Sequence, residues 1–486
     1  MIKLGRSRML RPSQFDLGHK DSMSKIYHSG WQTQFTQLDD KDSDFLQEAL
    51  SLLSQVSRSA LDSTDSLITH VSRLIAEIDN KLSKQMDTLL HHPEFEALQT
   101  NWLGLQGLAT LPVNYQRTQL KLLNMSWEEV SSDVNQAYST KTSELYNKIG
   151  NQELNTLGGH PFGCLLFTQP VAADMDFESD YDDLFTVELL SRLGEATLCP
   201  MLFAPNRDFF VESGADWLSD INRIEKILAS PDYQSWQSLR SKSSARFVGL
   251  VMPEMCMRTR YQNAKVGFIY NEKQNGLWGN AGFAFVSTIM REHQRVSWFG
   301  FLKSRWNDNN QGAVVNQNQS DSHFLIQPQT KVTLFGQLST FYSRSGFIPL
   351  TKSPLSDKFY FNGNNSIWHN SESDNEKVLT QIQTSLMSCR IAHYLKVQVR
   401  EMIGSFKTAA ECELFLSQWV EKFSSNVAYA NEETLSKYPL SFAKISVCDS
   451  DHHPGNFVCT LRIVPQYQYD HFSGEVVLTT ELDEVA

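Results

Sequence analysis

The chain has 486 residues, enough for roughly two or three domains with their own cores. It carries 55 acidic against 43 basic residues, a net charge of −12, which argues against a nucleic-acid-binding protein because phosphate neutralisation needs clustered Lys and Arg. No apolar run is long enough to span a bilayer, and the seven cysteines are dispersed without a CxxC pair, so we expect a protein of the reducing cytoplasm with no membrane insertion.

The N-terminal region, residues 1–44, is polar and lacks clear periodicity, which predicts an arm and not a domain. Within it, residues 33–38 have the composition of a short strand, with Phe35 and Leu38 as apolar side chains. Such a segment cannot fold alone, so we expect it to pair with another chain.

Helical periodicity begins at Asp44, and Pro93 separates two apolar stripes whose residues recur every three or four positions. This pattern predicts an antiparallel helical hairpin within residues 45–150, which also contain the start of an α/β region. The stripes consist of Leu67, Val71, Leu74, Ile75, Ile78, Leu82, Met86, Leu89 and Leu90, and of Phe95, Leu98, Trp102, Leu105 and Leu108.

From residue 120 onward, short apolar runs alternate with helical patterns, which predicts an α/β (α+β mixed) fold with a central mixed sheet over residues 151–375. Ser126 and Glu129 form a capping box at a helix start. The predicted strands are 120–125, 162–167, 200–204 and 246–252, the predicted helices 180–197, 216–229 and a buried 276–290, and the predicted surface loops 305–331 and 363–375.

The last region, residues 376–486, is predicted to contain helices followed by β strands. Its long helix, 376–403, has a basic side, which is either a solvated face or a partner-binding surface; the basic residues are Arg390, His393, Lys396, Arg400 and Lys407. The predicted strands are 442–449, 456–464 and 474–482, and we expect the last two to offer an open sheet edge to another subunit.

Motifs for chemistry are weak. The sequence has no phosphate loop, dinucleotide fingerprint or GxSxG elbow, which favours a protein that is not an enzyme and needs no cofactor. Three groups invite a metal hypothesis without the usual ligand spacing, so packing, capping and solvation are the preferred interpretations. These groups are His91-His92, the set Cys448, His452, His453 and Cys459, and the acidic run 174–183.

The hairpin segment resembles the large subunit of the type VI secretion contractile sheath (TssC/VipB family). The matching residues are Ile78-Asp79, Lys81-Leu82-Ser83, Gln85-Met86-Asp87, Leu90-His91-His92-Pro93, Phe95, Leu98, Trp102 and Gly104-Leu105. Further blocks follow in the order of the family: GGHPFG at 158–163, SPDYQSWQSLR at 230–240, LWGNA at 277–281 and AHYLKV at 392–397.

The resemblance implies a sheath-subunit fold and a structural role in a helical assembly. The implied partners are a small sheath subunit, copies of the same chain, an inner tube protein and baseplate components. The candidate interface residues are Phe35, Leu38, His393, Lys396, Arg400, Val458, Leu461, Val476 and Leu478. Leu103 stands where the family favours arginine, so a divergent paralogue acting beside the sheath or near the baseplate is an alternative, and an α/β hydrolase or transferase is another.

Overall fold

The computed structural model describes residues 40–173, 181–210, 216–262, 264–265, 268–273, 276–299, 329–353, 359–369, 374–402, 408–425, 438–449, 457–466 and 475–482. Within these ranges the chain divides into two compact units. The first unit consists of residues 40–91 and the described part of 261–273, and the second contains the remaining described residues.

The α-helices are α1 Asp40–Val56, α2 Thr64–Leu90, α3 Pro93–Ala109, α4 Trp127–Gln136, α5 Glu144–Tyr146, α6 Asp183–Thr197, α7 Ile221–Leu228, α8 Gln234–Ser241, α9 Gly282–Val296, α10 Gly336–Arg344, α11 Asp374–Leu379, α12 Ile382–Met402 and α13 Ala409–Glu421. A π-helix, Asn147–Asn155, continues α5, and short 3-10 turns lie at Arg58–Leu61, Thr140–Thr142, Asp216–Ser219, Pro231–Tyr233 and Ser243–Phe247.

The strands are β1 Leu165–Val171, β2 Met201–Pro205, β3 Val248–Met252, β4 Met255–Arg258, β5 Ala264–Lys265, β6 Ile269–Tyr270, β7 Leu277–Gly279, β8 Phe347–Lys352, β9 Phe359–Phe361, β10 Leu440–Asp449, β11 Phe457–Pro465 and β12 Val476–Leu482.

The first unit is built around α2. The hydroxyl of Ser63 accepts a hydrogen bond from the amide of Ser66 and caps the helix start. Near the other end of the helix, the hydroxyl of Tyr270 in β6 donates to a carboxylate oxygen of Asp87 at 2.7 Å. This bond ties the small β5–β6 pair to the helix.

The centre of the second unit is a sheet in the order β1-β2-β3-β8-β9, in which β1, β2, β3 and β8 run parallel and β9 antiparallel. Met201 and Phe203 of β2 point to one hydrophobic core, with α4, α6 and α8, and Leu202 points to the other, with α9 and the start of α12. Because helices cover both faces, β2 and β3 contain no polar side chain, as is typical of parallel sheets.

The C-terminal part of the second unit is an antiparallel sheet in the order β10-β11-β12. One face of this sheet contributes Ile445, Leu461 and Val476 to a core that also contains residues of α12 and α13. The alternation of buried and exposed residues along β10 follows from having only one covered face.

The mixed α/β fold is confirmed, and so is the capping box, since Ser126 and Glu129 bond each other's backbone amides. The predicted helix over 276–290 is wrong at its start, because Leu277–Gly279 is a strand paired with β4; from Gly282 the helix is buried, as predicted. The predicted strand 120–125 is also wrong, because this segment has no strand partner among the described residues.

The long helix predicted over 376–403 is two helices, α11 and α12. The break comes where the chain pairs with residues 364–366: the amide of Ser366 donates to Thr380 at 2.6 Å, and the amide of Ile382 donates to Asn364 at 2.8 Å. These bonds replace helical ones. The arm 1–39 and loop residues 305–328 lie outside the described residues, and the domain limits at 44, 150 and 375 stay predictions.

The predicted hairpin helices exist as α2 and α3, but they belong to different units, and their packing stays a prediction. The buried face of α3 differs from the predicted one. It contains Thr100, Gly104, Gly107 and Leu108, whereas Leu98 and Trp102 are exposed by more than half. Small residues form this face because β7 and α9 approach the helix closely.

Candidate partner-binding surfaces

The most extensive apolar surface on a described helix runs along α2. Its residues recur with the spacing of the a and d positions of a heptad repeat, and all are between 38% and 60% exposed. They are Ile68, Val71, Ile75, Ile78, Leu82 and Leu89; an exposed glutamine, Gln85, occupies the remaining d position. We call this set the α2 stripe.

Most residues of the α2 stripe belong to the first apolar stripe of the predicted hairpin, and the structure leaves that stripe largely exposed. Only Leu67 and Leu90, at the helix ends, are buried. The three heptads were a signal available in the sequence, but a helix of this length fits a hairpin as well as a coiled coil.

The C-terminal sheet places the predicted strand-exchange residues. β11 pairs with β10 on one side and β12 on the other, so its backbone is used on both sides and the predicted open edge at 456–464 is wrong. Among the strands that the structure describes, the outer edges of the sheet are those of β10 and β12. Leu461 and Val476 are buried and Val458 is half-buried, whereas Leu478 is described only as a β12 residue paired with Leu461.

The outer face of the same sheet carries two positive charges side by side. Lys444 of β10 lies directly opposite Arg462 of β11, and both are exposed. No carboxylate of the described residues forms an ion pair with either side chain. Phe442 and Val477, each about half exposed, flank the pair. Like charges facing each other across strands cost stability, so this face favours a partner with carboxylates.

The basic side of the late helix is less exposed than a solvated face requires. His393 is 2% exposed, with its Nε2 3.4 Å from the carbonyl oxygen of Thr197. Burial, and then the charges of Arg390 and Lys396, lower the pKa of His393 to about 4, so it is neutral near pH 7. Lys396 is half-buried, the side chain of Arg400 and all of Lys407 lie outside the described residues, and Phe35 and Leu38 also lie outside them.

The metal candidates do not assemble in the described residues, where no group of three or more potential ligands occurs. The Nε2 of His91 lies 3.1 Å from a carboxylate oxygen of buried Glu272, which explains its burial without a metal. Cys448 is exposed and Cys459 is buried on the opposite face of the sheet, so these two thiols cannot share an ion. His452, His453 and residues 174–180 of the acidic run lie outside the described residues.

A small cavity of about 60 Å³ lies where β2 and β3 end, the edge at which α/β enzymes place their sites. Its charged side chains pair with one another: the Nε of Arg207 lies 3.1 Å from Glu254, and the Nζ of Lys331 lies 2.7 Å from the other carboxylate oxygen. Enzyme pockets are typically roughly 300–1,000 Å³. This cavity therefore gives the hydrolase or transferase alternative no support.

These surfaces belong to a chain with extensive similarity to sheath proteins. A family model described as EvpB/VC_A0108, tail sheath N-terminal domain, matches residues 72–368, and one described as EvpB/VC_A0108, tail sheath gpW/gp25-like domain, matches residues 371–482. The chain belongs to this tail sheath family. It is similar to the type VI secretion system sheath protein TssC1 of Pseudomonas aeruginosa, with 25% identity over 457 residues that cover 90% of this chain and 89% of the relative.

This sheath protein is therefore a structural subunit of the type VI contractile sheath, as the resemblance implied. Most of the α2 stripe falls in the N-terminal sheath domain, and the β10–β12 sheet falls in the gpW/gp25-like domain. In the described part of the chain, no helix combines the length and apolar character needed to cross a bilayer.

Proposed function

We propose that this chain is the large subunit of the sheath and that it pairs with a small sheath subunit through the α2 stripe. The stripe supports the pairing because it is the surface of a coiled coil without its second helix. Packing a partner helix on it would remove the exposed half of each side chain from water, which contributes roughly 1 kcal/mol per side chain. Gln85 supplies one polar position, which favours a defined register.

The paired subunits then stack into a helical tube around an inner tube protein and contract to propel it. A filament requires contacts between different surfaces of identical subunits, since such contacts do not close into a ring. The edges of β10 and β12 suit this requirement, because in the described part of the chain no further strand covers them apart from the bridge between Leu440 and Ser424. The N-terminal arm of a neighbouring copy is the segment we expect to pair there, through residues 33–38.

This role places the chain in the cytoplasm, with baseplate components at one end of the polymer, and gives it no catalytic activity. What supports a non-enzymatic role is that the cavity at the sheet edge has only mutually paired charged groups. Subunits linked by exchanged strands can rotate as rigid bodies and remain attached, so contraction need not dissolve the polymer.

Co-expression with the small sheath subunit tests the proposal. We expect a stable complex that polymerises into tubular particles visible by electron microscopy. Deleting residues 1–40 should abolish the tubes and leave the complex with the small subunit intact. A complex that forms but never polymerises, and instead co-purifies with baseplate proteins, would contradict the main-sheath role and support the divergent paralogue. Normal tubes from the deletion variant would refute strand exchange by the arm.

A further inference from the structure

Residues 119–124, between α3 and α4, form an exposed segment without any helix, turn or bend. All six residues are exposed, and three of them are leucines: Leu120, Leu122 and Leu123, with Leu122 71% exposed. The sequence predicts a strand here, but the segment has no neighbouring strand among the described residues. We call residues 119–124 the open segment.

The backbone of the open segment makes no hydrogen bond with the described residues. The last bonded backbone amide before it is that of Thr118, which donates to Asn114 at 3.0 Å, and the next is that of Ser126, which donates to the carboxylate of Glu129 at 2.7 Å. Backbone amides and carbonyls are strong donors and acceptors, and a strand is stable only when another strand pairs with them. The backbone amides and carbonyls of the open segment are therefore available to pair with a strand of another chain.

The open segment is nevertheless held in place at both ends and in the middle. Arg117 donates to the hydroxyl of Ser297 at 2.7 Å, and the carbonyl of Met125 accepts from the side chain of Gln169 at 3.1 Å. The ammonium group of Lys121 bonds to Glu153 and lies 5.3 Å from the centre of the Phe162 ring. A segment anchored in this way loses little conformational freedom on binding, which favours affinity.

Its charge also selects a partner. Residues 111–125 contain Arg117 and Lys121 and no carboxylate, within a chain of net charge −12. In a strand, Leu120 and Leu122 share one side, and Lys121 and Leu123 share the other. The matching strand would present apolar side chains on the first side and an acidic side chain near Lys121.

We propose that the open segment is the docking site for a β-strand of the small sheath subunit, which pairs with it when the two subunits form their complex. This inference rests on the proposed function for the identity of the partner. A second copy of the chain is the less suitable occupant, because a site filled only in the polymer would leave three leucines and an unpaired strand exposed in every free complex, an arrangement that promotes aggregation. The open segment adds a main-chain contact to the side-chain contact of the α2 stripe.

Hydrogen exchange read by mass spectrometry tests the pairing directly. In the chain alone, the amides of 119–124 should exchange near the rate of an unstructured peptide. In the complex with the small subunit, alternate amides of the segment should slow by about a hundredfold or more, because one strand partner bonds every second amide. Fast exchange in both the complex and the polymer would overturn the proposal. Slowing that appears only in the polymer would also overturn it and would point to a second copy.

Two variants separate the main-chain and side-chain contributions. Leu122→Pro removes an amide donor and a leucine, whereas Leu122→Asp keeps the amide and replaces the leucine by a carboxylate; each should weaken binding of the small subunit roughly tenfold or more. The control is Leu157→Asp, at a leucine 79% exposed in a turn of the same unit, which should bind normally. If Leu122→Asp and Leu122→Pro bind as tightly as the control, the docking site is refuted while the sheath assignment stands. If the unmodified chain does not bind a small subunit, the proposed function fails first.

Discussion

Gly104 of α3 lies so close to Phe283 of α9 that a β-carbon at position 104 would be 2.5 Å from the phenylalanine ring. The same contact is repeated one turn earlier, where a β-carbon on Gly279 would be 2.2 Å from the side chain of Thr100. The segments around Trp102–Gly104 and Leu277–Ala281, which carry the resemblance to sheath proteins, are thus packed directly on each other. Both segments therefore contribute to one core contact of the second unit.

Gly104→Ala should destabilise the protein, although alanine is the better helix former by roughly 1 kcal/mol. Phe283 is buried and cannot move aside easily, so overpacking should cost about 1–3 kcal/mol and exceed the gain. The measurement is the midpoint of urea unfolding. Gly163→Ala is the matched control, because a β-carbon there meets no atom within 4 Å. Equal midpoints for Gly104→Ala and the unmodified chain would show that the contact is not tight.

Arg462→Glu should stabilise the C-terminal sheet, because it replaces a repulsive pair with Lys444 by an attractive one. We expect a gain of roughly 0.2–1 kcal/mol that shrinks in high salt. Arg462→Gln removes the repulsion without creating an ion pair. Its stability should therefore lie between that of the unmodified chain and that of Arg462→Glu. If Arg462→Glu lowers the unfolding midpoint at low salt, Lys444 and Arg462 do not repel each other.

Protonation of His393 should make the protein less stable in acid. Its folded-state pKa of about 4 lies below the ordinary value of 6.5, so the unfolded chain gains a proton first as the pH falls. The loss begins near pH 6.5, grows by roughly 1.4 kcal/mol for each unit and levels off near pH 4. His393→Gln should reduce this slope in urea unfolding from pH 7.5 to 5. Part of the pH dependence should remain in the variant, because burial also lowers the pKa of His293 to about 4. An unchanged slope in the variant would contradict the burial of His393.

Thiol labelling should distinguish the exposed cysteine from the buried ones. Cys389 and Cys199 are buried, and burial raises the pKa of Cys389 to about 12 and that of Cys199 well above its usual value, so these two thiols should not react in the folded protein. Cys448 is exposed and should react fastest with an aromatic disulfide reagent. Cys448→Ser should remove the fast phase. Fast labelling that survives this substitution would mean that one of the other thiols is accessible.

The sequence predicted elements best where one local signal decided the structure. Ser126 and Glu129 alone specify the start of α4, and Pro93 alone specifies the start of α3. Prediction from the sequence failed where a distant segment competes with the local helix for backbone hydrogen bonds. The helix over 376–403 breaks because residues 364–366 take over the hydrogen bonds at Thr380 and Ile382, and no local pattern at Thr380 shows this.

The binding surfaces were harder to predict, because an apolar stripe has the same pattern whether it is covered by its own chain or by a partner. The periodicity of Ile75 and Ile78 predicts a stripe of a helical hairpin, and only the structure shows that each side chain is exposed by more than half. His393 illustrates the opposite error, since its basic neighbours suggested an exposed face, whereas the imidazole is buried against Thr197. Burial is a property of the whole fold and cannot be obtained from the period of one helix.

The affinity of the small sheath subunit for α2 variants tests the central claim most directly. Ile75→Asp with Ile78→Asp places two carboxylates in the stripe, and Ala76→Asp with Asn80→Asp places the same charge on exposed positions outside it. We predict that the first variant binds about a hundredfold more weakly, because two apolar contacts are replaced by buried charges, and that the second binds normally. Equal binding by both variants would contradict pairing through the α2 stripe.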